Sequence, residues 1–133
     1  MSPTHFRELE VWQVAMLLAR QVYDLTSDFP QDERYGLMSQ IQRAAVSIPS
    51  NIAEGNARGG AREYSRFISI AQGSCAELQT QLLLSMELDL GDTALTNQCL
   101  SLCDRVGRML LRLRQALLRK QQPESRVPSS ESR

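Results

Sequence analysis

The chain has 133 residues, 15 basic and 15 acidic side chains, and 42% hydrophobic residues, enough for one domain with a real core. The charge balance offers no whole-molecule field that would favour nucleic acid or a membrane surface, and no run of about 20 apolar residues is available to span a bilayer. Aromatic residues make up only 5% and Leu, Ala, Gln, Glu and Arg prevail, which is a helical composition.

The first predicted helix runs from about Thr4 to Ser27. Its main apolar face carries Leu9, Trp12, Ala15, Met16, Ala19, Val22 and Tyr23, with Val14, Leu18 and Leu25 as a secondary stripe. Phe29-Pro30 ends it, because the residue before a proline is pushed out of the helical region. The second helix is expected to begin near the capping candidate Asp32. It presents Leu37, Ile41, Ala44, Ala45, Ile48 and Ile52 at three- and four-residue steps. Pro49 lies inside that pattern, where it deletes a backbone donor and crowds the preceding turn at a cost of about 3 kcal/mol. The periodicity continues past it, so one kinked helix is expected rather than two.

Gly55 to Gly60 is read as a connector, since glycines terminate a helix at little cost. The third helix is predicted from Ala61 to Asp89, through Tyr64, Phe67, Ile68, Ala71, Cys75, Leu78, Leu82 and Met86. Gly91-Asp92-Thr93 is a stop followed by an N-cap. The fourth helix runs from about Thr93 to Gln121, with Leu95, Cys99, Leu102, Val106, Met109, Leu110, Leu113 and Leu117 in register. No alternating segment bounded by turns supports a sheet. Residues 122–133 are polar and contain proline, and are read as a disordered tail after a domain at 1–121. Short connectors between long helices predict an all-α, antiparallel, up-down-up-down four-helix bundle with a proline-kinked second helix.

A bundle needs one apolar stripe per helix, and several of these helices carry two. Ile70 and Leu84 lie behind the main face of the third helix, while Leu100, Gly107, Leu111 and Leu118 lie off the core stripe of the fourth. Together they would expose more apolar surface than a monomer usually tolerates, which favours self-association or a partner.

Arg105, Arg108, Arg112 and Arg119 share a face of the fourth helix, with Arg114 and Lys120 nearby. Such a stripe either neutralises phosphates of RNA or DNA or complements the helix dipole and keeps an exposed face soluble. Zero net charge and the lack of interleaved aromatics favour the second reading for a lone chain. Arg43, Ser47, Asn51, Glu54, Glu63 and Glu77 form a polar set suited to holding helices or subunits in register.

Catalysis and metal binding find little support. The single histidine is His5 at the start of the chain, whereas di-metal bundles use Glu-x-x-His pairs. Cys99 and Cys103, four apart with Cys75 the only further thiol, make a poor zinc site. Buried, inert cysteine is the better reading. An odd cysteine count without framework spacing and the lack of a secretory signal over Met1 to His5 point to a reducing cytoplasm. No catalytic residue, metal or cofactor is assigned, and no enzyme activity is expected.

The chain resembles the family of four-helix bundle proteins encoded by intervening sequences in 23S rRNA genes, to which the accessory variability-determinant proteins of diversity-generating retroelements are related. The likeness covers about Phe6 to Leu118. It rests on Phe6-Arg-Glu-Leu-Glu-Val-Trp12, Phe29-Pro30, Glu33-Arg-Tyr-Gly-Leu37, the run Gln40 to Gly55, Glu63-Tyr-Ser-Arg-Phe67 and Ala71-Gln-Gly-Ser-Cys-Ala-Glu-Leu78. Gln42 stands where the family often has arginine, and Cys75 replaces a usual aliphatic residue. The resemblance implies a homopentameric ring without established enzyme activity. It also implies RNA, DNA or a reverse transcriptase as partners, contacted through basic surfaces.

Overall fold

The computed structural model describes residues 5–121, and the tail expected over 122–133 lies outside them. A 3-10 turn at Phe6–Glu8 leads into α1 (Glu10–Thr26), and a second 3-10 turn at Gln31–Glu33 precedes α2 (Leu37–Arg58). The helices α3 (Ala61–Glu87) and α4 (Thr93–Gln121) complete the order, and no strand occurs among the described residues. Each helix packs on two others: α1 on α2 and α4, α3 on α2 and α4. The contacts thus follow a closed circuit around one core, as a four-helix bundle requires.

Leu18, Val22, Leu25, Ile41, Ile48, Ile52, Ile68, Leu78, Leu82, Val106 and Leu110 are fully buried and fill that core. On α1 the buried stripe is Val11, Val14, Ala15, Leu18, Ala19, Val22 and Leu25. Ala15, Ala19 and Val22 of the expected main face are therefore buried, but the secondary stripe joins them in the core and displaces Met16 and Tyr23 from it. Val14, Leu18 and Leu25 point inward, while Met16 and Tyr23 are 40% and 49% exposed. Compact aliphatic side chains fill a tight helix interior better than Trp, Tyr and Met, whose polar tips or flexible stems suit a rim.

Two boundaries also differ from the sequence reading. The α2 helix starts at Leu37 after Gly36, because the turn at Gln31–Glu33 takes up the Asp32 region. It runs unbroken through Pro49 and on to Arg58, stopping at Gly59 with φ 88°. Gly55 is thus helical and buried, and its role is close approach. A Cβ there would stand 2.8 Å from Phe67 Cβ and 3.0 Å from Tyr64 Cδ1.

The α3–α4 corner is built by local chemistry. Asp89 takes φ 57°, and the amides of Asp89 and Leu90 donate to the carbonyls of Met86 and Ser85. These crossed bonds satisfy the last free carbonyls of the helix. Gly91 follows at φ 76°, and a Cβ there would meet Leu25 Cδ1 at 2.7 Å. Asp92 then caps α4, its Oδ1 accepting from the Leu95 amide at 3.1 Å.

Candidate functional site

Two surfaces stand out, one closed and polar, the other open and apolar. At the closed α2–α3 seam, Ser47, Asn51 and Gly55 form a row at four-residue steps along α2. The Ser47 and Ser74 hydroxyls lie 2.8 Å apart, and Asn51 Nδ2 donates to the Ser47 oxygen at 3.0 Å and to its carbonyl at 2.8 Å. Small side chains let the helices approach, and the hydroxyl pair satisfies polar groups that burial would otherwise penalise.

Of the six residues expected to form one polar network, the fold joins only Ser47 and Asn51 directly, and Ser74 completes that group. Glu54 pairs with Arg58 at 2.9 Å and Glu63 with Arg66 at 3.3 Å, each within its own helix. Arg58 and Arg66 both stack over the Phe67 ring, at 5.1 and 4.8 Å. Arg43 and Glu77 are exposed and form no ion pair among the described residues. Gln42 is more than a missing charge: its Nε2 donates to Thr26 Oγ1 at 2.9 Å, tying α2 to the buried end of α1.

The open surface lies between α1 and α2. Trp12, Met16, Tyr23, Val46 and Pro49 line a groove of about 800 Å3, flanked by Arg20 and Asp24. Phe6 packs edge-on against Trp12, with ring centroids 5.3 Å apart. Pro49 contributes an apolar ring here and, buried on α2, still leaves the groove mouth open. Sequence reasoning placed Trp12, Met16 and Tyr23 in the core. The competing all-aliphatic stripe on the same helix is the signal that Met16 and Tyr23 face outward, while half-buried Trp12 still packs against the core.

The expected interface residues are distributed over other faces. Ile70 and Leu84 on α3 are exposed, as are Leu111 and Leu118 on α4, while Leu100 is half-buried. On the basic face of α4, Arg105 bonds Glu10 of α1 at 3.0 Å and Arg108 pairs with Asp104. Arg112 and Arg119 are exposed and form no ion pair among the described residues. Two of the four arginines are therefore already committed to carboxylates.

All three thiols are free and buried. Burial and the neighbouring Asp24 carboxylate push the Cys99 thiol up to about 11. Among the described residues, no group of three His, Cys, Asp or Glu side chains is placed to hold a metal ion. No described helix is long and apolar enough to cross a membrane.

A model of the family described as "23S rRNA-intervening sequence protein" matches residues 7–112. No curated protein gives a significant match to the chain.

Proposed function

The chain belongs to the 23S rRNA-intervening sequence protein family, and we propose that it serves as a non-enzymatic, self-associating helical scaffold, assembled as a pentameric ring. The observation that carries self-association is the open groove of Trp12, Met16, Tyr23, Val46 and Pro49, while the number five is what the family resemblance implies. Leaving large apolar side chains in water is unfavourable by about 25 cal/mol per Å2, and a second copy removes that cost. A cyclic ring needs two different complementary surfaces on each subunit. The groove supplies a concave one, and the exposed leucines of α4, Leu111 and Leu118, supply a second apolar surface.

Charges placed in the groove test the reading. In size-exclusion chromatography, Met16→Glu combined with Val46→Glu should elute as a single chain with helical content unchanged. An unaltered elution volume would remove the groove from the interface. Nucleic acid has a place in this proposal only through the α4 face, where Arg112 and Arg119 form no ion pair among the described residues. Arg108→Glu together with Arg112→Glu should then abolish RNA binding while assembly persists. Unchanged RNA affinity in that variant would assign α4 no such role.

A further inference from the structure

The thiol pair across the α3–α4 seam is not used by the assembly reading. Cys75 Sγ donates to the Cys103 carbonyl oxygen at 3.3 Å, which sets the two cysteines against each other across the helix pair. Both line a surface groove of about 340 Å3 whose other walls include Gln72, Gln79, Asp104 and Arg108. A Cβ at Gly107 would lie 3.8 Å from Cys75 Sγ. Glycine at that position therefore leaves the space beside the sulfur unfilled. Cys75 retains 6% exposure, whereas Cys99 has none and does not line the groove.

We propose that Cys75 and Cys103 form an oxidisable pair, which hydrogen peroxide converts into an intrachain disulfide joining α3 to α4. The Cys75 sulfur attacks one peroxide oxygen, breaking the O–O bond; Cys75 becomes a sulfenic acid and one water leaves. The Cys103 sulfur then displaces the sulfenic hydroxyl as a second water, and the S–S bond forms. In total two thiols and one peroxide give one disulfide and two waters. The sulfurs lose two electrons and the peroxide gains them.

The assignment of roles follows from surroundings. A hydrogen bond from the Cys103 side chain holds the Cys75 thiol below its ordinary value, while that same contact and burial push Cys103 up. Cys75, the more exposed of the two thiols on the groove wall at 6% against 1%, is therefore the attacking thiol, and Cys103 resolves the intermediate. Cys99 is excluded as the partner of Cys103. Residues four apart on one helix hold their Cβ atoms about 5–6 Å apart, wider than the roughly 3.5–4.5 Å a disulfide spans. Both thiols belong to one chain, so the crosslink needs no second copy, although Leu111 of the proposed ring contact also lines this groove.

The test uses the full chain, reduced and then exposed to hydrogen peroxide at neutral pH before denaturation, alkylation and mass mapping. Two of the three cysteines should lose their reactivity toward the alkylating agent. A peptide containing Cys75 should be found joined to one containing Cys103, and dithiothreitol should restore both thiols. The crosslink should persist in Cys99→Ala and vanish in Cys75→Ser. Three alkylatable thiols after treatment, Cys75 carried to sulfinic acid without a crosslink, or linkage only between chains would each overturn the proposal.

Discussion

The α2 helix meets its two neighbours in opposite ways. Toward α3 it presents Ser47, Asn51 and Gly55, residues small enough for backbones to approach and polar enough to hydrogen-bond across to Ser74. Toward the outer edge of α1 it presents Val46 and Pro49 beneath Trp12, Met16 and Tyr23, and the space between stays open. The first seam is closed within one chain, with the Ser47, Asn51 and Ser74 side chains hydrogen-bonded and Gly55 in close contact with Phe67 and Tyr64. The second holds apolar surface that no described residue covers. Side-chain size decides the difference: small residues let a helix pair close, while bulky rim residues prop it apart and leave a surface for another molecule.

The sharpest break in that contrast is at Gly55. Gly55→Val forces methyl groups into Phe67 and Tyr64, and overpacking of this kind should lower unfolding free energy by about 3 kcal/mol, measured by urea denaturation. Ser74→Ala leaves the Ser47 hydroxyl without its cross-helix partner and should cost about 1 kcal/mol in the same assay. Met16→Ala on the groove wall should change single-chain stability by no more than about 0.5 kcal/mol while weakening self-association. A large stability loss there would place Met16 in the core instead. The smallest effect is expected at the exposed Arg105–Glu10 bridge. Glu10→Gln should cost below about 1 kcal/mol and lose its effect at high salt.

Much of this was legible in the residues. Four helices, the Gly91-Asp92 corner and the core stripes of α2, α3 and α4 follow from three- and four-residue spacing and capping chemistry. The α1 face was misread because Trp12, Met16 and Tyr23 keep the same helical period as the aliphatic stripe beside them, and period alone cannot rank two faces. Gly55 was taken for a terminator because glycine ends helices and also permits close helix contact, and only the position of Phe67 separates the two roles. Glu54 and Glu63 were grouped with Ser47 by their polarity. Each has an arginine three or four residues away, which suffices to pair it locally. The Ser47–Ser74 pair was half visible, since no pattern within α2 indicates which α3 hydroxyl faces it.

The native mass of the unaltered chain in solution, taken by light scattering behind size exclusion, bears most directly on whether the open groove is a contact between copies. Five times the single-chain mass is expected, holding from low to moderate salt because the buried surface is apolar. A single-chain mass at the same concentrations would contradict self-association and leave the α1–α2 groove to a different protein.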